Sequence, residues 1–495
     1  MRKKLGWILA AAWALSCRKD ACDGVVCESG YNCDGGRCVC TAGTAQNILI
    51  AGGSADQSAL AVVSEPSGNI LYFGQGTGKA LFGNDSIVIP EGSGVYCAAV
   101  GLNDSVLWTR YLAPVSHLKF AGALAAGDKI LLYGSWREAG TLGGRTLTAW
   151  DGTDGVLAKM DAAGNVENVM LFGGRGHQSF TGAYQDAQGN VYLVGTFSDT
   201  LWHEAGAAAG FGGRDAFVMA LNRDWEFRWL RTFGGAGDDE PAAVFQDSDG
   251  DVHVWSTVTG DSVRFLAGDS MYVYSGLGKT DVAWAVYERT GKFKRATVSG
   301  GAGTDRAGAA AIGFDGLYLG GSFQASAAFG SATVTSAPAG AVGVRASDTT
   351  FFIAKADFSG RFRWAVSAPG ELRALAFAPT GRLYAAGTFY GVTNVGGFSL
   401  TAADPGLGEI FLVVLDGKGL ALDAQRGGGP GADGARSIAF GADGAPRLAA
   451  DAYNVRVHDP GGSPVFNNAD FGSRTLVAPF PNRRFAFLAR LCRTL

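Results

Sequence analysis

Asp186-Ala-Gln-Gly189-Asn190-Val-Tyr-Leu-Val-Gly195-Thr-Phe197, then Asp215-Ala-Phe-Val-Met-Ala-Leu221, then Phe227-Arg-Trp229-Leu-Arg-Thr-Phe233-Gly234-Gly235-Ala-Gly237-Asp238-Asp239 is the stretch that decides the fold. It holds runs of β-formers near 181–185, 190–196, 216–221 and 227–233, separated by turn residues, so it reads as four short strands. Asp-x-x-Gly between the first two is a tight hairpin turn, because glycine accepts the positive φ such turns require.

The opening recurs as Ser67-Gly68-Asn69-Ile-Leu-Tyr-Phe-Gly74, Asp128-Lys-Ile-Leu-Leu-Tyr-Gly134 and Asp249-Gly250-Asp251-Val-His-Val-Trp255. Three more copies are Asp315-Gly316-Leu-Tyr-Leu-Gly-Gly321, Thr380-Gly381-Arg-Leu-Tyr-Ala-Ala-Gly387 and Asp443-Gly444-Ala-Pro-Arg-Leu-Ala-Ala450. Aligned on the Gly195 column they fall at 74, 134, 195, 256, 321, 387 and 450, with spacings of 60, 61, 61, 65, 66 and 63. Four antiparallel strands repeated in this way predict an all-β fold, a seven-bladed β-propeller of four-stranded blades. The blades are expected at about 58–116, 117–178, 179–239, 240–305, 306–370, 371–433 and 434–495 plus 47–57.

The last unit stops after Arg484-Phe-Ala-Phe-Leu-Ala-Arg-Leu491, which matches a third strand. Asn47-Ile-Leu-Ile-Ala-Gly52-Gly53-Ser-Ala-Asp56 matches a fourth, so an N-terminal strand is expected to complete the last blade and cover its edge. The same column alignment places Cys40 and Cys492 opposite each other and predicts a Cys40–Cys492 disulfide closing a loop of more than 400 residues. Cys97 aligns with Val218 on a core-facing strand and is expected to be a buried free thiol.

The unit resembles the seven-bladed-propeller repeat of bacterial surface proteins, with its Asp-x-x-Gly-Asn-x-Tyr-x-x-Gly-x-Phe, Asp-Ala-Phe and Phe-Gly-Gly signatures, over about 450 of the 495 residues. The N-terminus points to the same compartment. Met1-Arg2-Lys3-Lys4 precedes an apolar run of 11 residues, Leu5 to Leu15, and a small Ser16, which reads as a signal peptide over 1–16. Ala14-Leu15-Ser16-Cys17 resembles the bacterial lipobox, which implies lipidation of Cys17; ordinary cleavage nearby, with Cys17 a plain thiol, is the alternative. Arg18 in place of Asp carries no inner-membrane retention signal, so an outer-membrane or cell-surface address is expected. Between 17 and 44, Cys22, Cys27, Cys33, Cys38 and Cys40 read as a disulfide framework in an exported chain. The segment resembles an EGF-like module lacking its sixth cysteine; family pairing implies Cys22–Cys33 and Cys27–Cys38 and leaves Cys40 to a partner elsewhere.

Composition excludes other classes. Gly is 76 of 495 and charged residues are 17%, which describes a turn-rich and core-rich chain. Lys+Arg 41 against Asp+Glu 45, with no basic block, argues against nucleic acid as a partner. Histidines 117, 177, 203, 253 and 458 are scattered with no metal-ligand spacing. Asp247-Ser-Asp-Gly-Asp251 looks like half a calcium loop but sits at the hairpin-turn position, and Gly74-Gln-Gly-Thr-Gly-Lys-Ala80 lacks the hydroxyl and the helix of a phosphate loop.

Alternation of connections puts the short Asp-x-x-Gly turns on one face of the ring and the long segments 198–213, 258–280, 324–349, 390–408 and 453–480 on the other. Function concentrates on long loops over a rigid scaffold, so the long-loop face is the candidate binding face. Around it stand Asp56, Asp238, Asp239, Asp305 and Asp433, either a carboxylate rim for Ca2+ or a cationic ligand, or caps of their own glycine turns. Trp202, Tyr390 and Tyr453 stack on sugar rings or pack between loops. The expected protein is a membrane-anchored, monomeric surface lipoprotein without a cofactor, binding protein or glycan ligands or serving as a scaffold. A carbohydrate-active enzyme on the same face and a purely structural envelope component are the alternatives.

Overall fold

The computed structural model describes residues 31–34, 37–40 and 45–491, except 54, 66, 83–84, 204–205, 268–269, 337–348 and 430 and, within 454–482, all but four three-residue strands. Cys17, Cys22, Cys27 and Cys492 lie outside the described residues, and with them the lipidation and disulfide expectations. Tyr31–Asp34 and Arg37–Cys40 form a hairpin with Cys33 opposite Cys38.

Every regular element among the described residues is a strand. In the stretch that opened the sequence reading, the strands are Gln178–Gln185, Val191–Phe197, Asp215–Leu221 and Phe227–Gly234, paired antiparallel in that order. We call this group three. Group one comprises Gln57–Ser64, Ile70–Phe82, Asp85–Val100 and Val106–Pro114, and group two Leu118–Ala126, Lys129–Leu142, Arg145–Met160 and Val166–Phe172. Group four is Glu240–Gln246, Val252–Thr259, Thr280–Tyr287 and Phe293–Ser299; group five is Arg306–Gly313, Gly316–Phe323, Thr350–Ala356 and Phe362–Pro369. Group six is Glu371–Phe377, Leu383–Phe389, Glu409–Leu415 and Ala421–Gly428. Group seven takes Gly434–Phe440, Pro446–Tyr453 and Arg484–Leu491 from the C-terminal part of the chain and Ala45–Gly53 from the N-terminal part, with Ile50 opposite Phe487.

The strand pattern follows from burial on both faces. Val191–Phe197, Asp215–Leu221, Leu383–Phe389 and Glu409–Leu415 are buried at every position, which explains continuous apolar runs in place of alternation. Apolar clusters fill the spaces between successive groups, two with three through Phe180, Leu193 and Phe217, four with five through Trp255, Trp284 and Phe352. Groups six and seven share Leu412, Leu448 and Phe487, and groups seven and one share Leu488, Tyr72 and Tyr96. First strands touch first strands: Gln57–Ser64 contacts Leu118–Ala126 on one side and Gly434–Phe440 on the other. This is propeller-type packing of face-to-face sheets.

The turns are built as their sequences demand. Asp186 Oδ1 accepts the backbone N–H groups of Gln188 and Asn190, both at 2.9 Å, while Gly189 takes φ 86°. Asp161, Asp247 and Asp416 repeat the pattern, so Asp247 is a turn acceptor; its Oδ2 also meets His253 Nε2 at 2.9 Å. Cys97 is a buried free thiol, and burial pushes its pKa upward.

The N-terminal strand is the only partner of one edge of Arg484–Leu491 among the described residues. Deletions of 1–44 and of 1–56 both remove Cys40, so their difference reports the strand alone: the 1–56 deletion is expected to melt more than about 10 °C below the 1–44 deletion or to lose cooperative unfolding. Equal melting of the two truncations would contradict this assignment.

Candidate functional site

The long segments between second and third strands are hairpins. Thr200–His203 pairs Gly206–Ala209, Ser262–Ala267 pairs Ser270–Ser275, Ser326–Phe329 pairs Ala332–Thr335, and Val392–Val395 pairs Phe398–Thr401. Groups one and two carry the same extension, with their second and third strands running on through Phe82 and Asp85 and through Leu142 and Arg145. The sequence reading named 198–213 of group three and not these two, although the second and third strands are separated equally in all three, with Gly74 opposite Tyr96, Gly134 opposite Val156 and Gly195 opposite Phe217.

Asp239, Asp305 and Asp433 are buried where each group hands over to the next. Asp239 Oδ2 accepts the N–H of Gly235 and its Oδ1 that of Thr259, both at 2.7 Å. Asp433 does the same for Gly429 at 2.7 Å and Tyr453 at 2.8 Å, and Asp305 accepts from Gly301 at 2.7 Å. These three carboxylates cap the glycine turns. Asp238 is exposed, accepts the N–H of Arg214 at 2.9 Å and pairs with its guanidinium at 3.2 Å. Asp56 stands in the matching place, accepting the N–H of Arg484 at 3.0 Å. Tyr390 and Tyr453 are half-buried at the ends of second strands in groups six and seven, away in sequence and sheet from Trp202 in group three.

Burial raises the pKa of Asp239 to about 7, Asp305 to about 6 and Asp433 to about 8, with Asp215, Asp281 and Glu409 adding repulsion. Below about pH 4 these carboxyls are protonated whether folded or unfolded. Between there and about pH 8 the unfolded chain ionises first, so their contribution to stability is lost as pH rises. Carboxylates held low by hydrogen bonds, such as Asp161 and Asp357, act below pH 4 and leave that interval untouched. Tm is therefore expected to fall between about pH 5 and pH 8.5, with a smaller fall in the Asp239→Asn/Asp433→Asn variant. A Tm rising over this interval would refute the assignment.

Trp202 meets a residue the sequence reading missed. Trp150, on the third-strand extension of group two, is 72% exposed, and Trp202 on the hairpin of group three is 39% exposed. Their rings meet edge to face at 5.1 Å and 66°. They stand at a cavity of about 360 Å³ lined also by Asp154, Phe172, Gly173 and Trp225. Asp154 Oδ2 accepts the backbone N–H of Trp150 at 2.9 Å, and the Gly173 carbonyl accepts the backbone N–H of Trp202 at 3.1 Å. Asp154 is fully buried, its Oδ1 has no hydrogen-bond partner among the described residues, and burial raises its pKa.

An exchange of residues accompanies this space. On the fourth strands of groups one, three and five, Trp108, Trp229 and Trp364 donate Nε1–H to carbonyls of the following group's last turn, those of Ala162, Arg289 and Gly417, at 3.1, 2.8 and 3.1 Å. Gly164, Gly291 and Gly419 lie beneath them, where a Cβ would come within 2.5–2.9 Å of the indole. Group two carries Asn168 at the tryptophan position, and group three carries Trp225 at the glycine position, with φ 69°. A bulky side chain in the left-handed region costs about 1–3 kcal/mol, and Trp225 is held there by burial and by Lys159 Nζ, 4.8 Å above its ring. The broken glycine column was visible in the sequence; its tryptophan partner was not.

Among the described residues no three His, Cys, Asp or Glu side chains converge to hold a metal ion. The sequence matches no family model and no curated protein. Among solved structures, the Pan2 WD40 domain of Neurospora crassa matches with 8% identity over 88% of this chain and 91% of that one, at TM-score 0.38. Sqt1 from Chaetomium thermophilum matches with 10% identity over 92% and 100%, at 0.37. A subtype N10 neuraminidase-like protein from a little yellow-shouldered bat isolate of Guatemala matches with 8% identity over 90% and 98%, at 0.34. Likenesses this shallow carry no inference about ligand or chemistry.

Proposed function

We propose that the chain is an exported lipoprotein, anchored through acylated Cys17 to an outer membrane or cell surface, that binds protein or glycan ligands at the long-loop face of a closed seven-bladed propeller. In this reading residues 17–44 are a disulfide-bonded EGF-like stalk, with Cys22–Cys33, Cys27–Cys38 and Cys40–Cys492 pairs, and 45–495 are the propeller. The pairing of Ala45–Gly53 with Arg484–Leu491 and the contact of Gly434–Phe440 with Gln57–Ser64 support closure. The charged n-region, the apolar run and the Ala14-Leu15-Ser16-Cys17 stretch support export and anchoring.

The observation that carries the binding reading is the Trp150–Trp202 pair. Large indole surfaces exposed together at a cavity mouth are costly to leave in water and supply most of the contact energy where they are covered by a ligand. A rigid scaffold with such a pair on its raised hairpins is suited to recognition.

The Trp150→Ala/Trp202→Ala variant is expected to keep Tm within about 2 °C, because both side chains are at the surface, and to lose at least about tenfold in retention on a panel of glycans and envelope proteins. Unchanged retention would refute this face as the binding face. Intact mass of the protein extracted from native membranes is expected to show a mature N-terminus at acylated Cys17 and three disulfides. An unacylated chain would overturn the anchored reading.

A further inference from the structure

We propose that the cavity behind Trp150 and Trp202 takes an alkylammonium group, a methylated or quaternary amine seated against the tryptophan faces with its charge balanced by Asp154. The inference rests on the reading of this end of the molecule as the binding face and names the chemistry it recognises.

The lining decides between ligand classes. Trp150, Trp202 and Trp225, with Phe172 and Phe227, present aromatic surface, and the other side chains facing the space are aliphatic. Asp154 is the one charged side chain among them, and a carboxylate only accepts hydrogen bonds when ionised. A sugar ring entering here would bring several hydroxyls that both donate and accept and would find one matching side chain; each unmatched hydroxyl forfeits its water at about 1–3 kcal/mol. A purely apolar ligand would leave the buried Asp154 Oδ1 unpartnered, as it already is. An alkylammonium group satisfies both requirements. Its methyl or methylene surface carries the positive charge that indole faces attract, and it needs no acceptor beyond a nearby negative charge.

The geometry supports this assignment. Asp154 Oδ2 accepts the backbone N–H of Trp150 and Oδ1 has no hydrogen-bond partner among the described residues, an arrangement that Asp215 and Asp281 repeat, so the carboxylate is oriented before any ligand arrives; Asp154 is the one of the three that lines the aromatic cavity. The Gly173 carbonyl accepts the backbone N–H of Trp202, and the Gly173 Cα lies against Asp154, since a Cβ there would collide with Asp154 Oδ1. The main chain at Trp150 and at Trp202 is thus joined to the same Asp154–Gly173 contact. At about 360 Å³ the cavity lies at the small end of the usual range of ligand pockets, about 300–1,000 Å³, which suits one small group better than an oligomer.

The test is titration of the full-length protein with choline, with N,N,N-trimethyl-lysine amide and with 3,3-dimethyl-1-butanol, the uncharged isostere of choline, followed by tryptophan fluorescence and calorimetry. Either cation is expected to saturate the protein and the isostere to bind at least about tenfold more weakly. A preference between the cations names the source of the ammonium. Trp150→Ala is expected to weaken cation binding about tenfold, and Asp154→Asn, which keeps an acceptor for the Trp150 N–H, to weaken the cations and leave the isostere unchanged. Equal binding of cation and isostere, indifference to Asp154→Asn with Tm unchanged, or no saturation by either cation would each overturn the inference. If ligand retention depends on Trp150 and Trp202 while neither cation binds, the ammonium assignment falls and the surface-binding reading stands.

Discussion

At four of the group junctions the chain at the end of a fourth strand pairs, backbone to backbone, with the hairpin that the following group raises between its own second and third strands. Gly174–Arg175 pairs Thr200–Leu201, Phe233–Gly234 pairs Arg264–Phe265, Gly427–Gly428 pairs Asp470–Phe471, and Ala51–Gly53 pairs Ala80–Phe82. Backbones approach so closely here that a side chain does not fit: a Cβ on Gly174, Gly235 or Gly53 would collide with the carbonyl oxygen of Thr200, Thr259 or Lys79. The buried carboxylates of Asp239 and Asp433 then fasten the turn to the second strand of the following group. Much of the chain's unusual glycine content follows from this one joint. At these junctions it adds backbone hydrogen bonds between sheets that otherwise meet through side chains.

The same joint assembles the candidate site. The hairpin that pairs with Gly174–Arg175 carries Trp202, so the backbone contact that links groups two and three delivers that indole to Trp150 and Asp154. Beneath them the tryptophan on the strand and glycine in the turn seen where groups one, three and five meet the following group are replaced by Asn168 and Trp225. A strained non-glycine turn residue and two exposed indoles occur together at one of the group junctions, where the junction of Trp229 with Gly291 shows neither; the buried carboxylate of Asp154, by contrast, is repeated there by Asp215 and Asp281. Departures from a repeat's own rules mark the places where something other than folding has shaped the residues.

The repeat was legible because burial on both sheet faces writes itself as apolar runs, and the turns as Asp-x-x-Gly. The strands expected at 181–185, 190–196, 216–221 and 227–233 fall within Gln178–Gln185, within a residue of Val191–Phe197, and within Asp215–Leu221 and Phe227–Gly234. The joining of Asn47–Gly53 to Arg484–Leu491 was legible for the same reason, as two incomplete copies of one pattern. The direction of a carboxylate was not. Asp238 and Asp239 are neighbours in sequence, yet one faces solvent and the other is wholly inside, where it meets Thr259 at the end of the next group's second strand. Trp150 and Asp154 were missed although the group two extension is as long as that of group three, because their meeting with Trp202 depends on a junction between two groups. Sequence periodicity describes each group separately and is silent on what adjoining groups place together.

Site-specific photocrosslinking in the native envelope addresses the central claim, that the cavity between groups two and three is where this protein meets its ligand. Leu171, half-buried on the cavity wall, is replaced by p-benzoylphenylalanine in one strain, and exposed Lys418, in the turn between the third and fourth strands of group six, in another. The account expects a discrete adduct from position 171 and none of the same mass from 418. Adducts of equal yield from both positions, or from 418 alone, would contradict it.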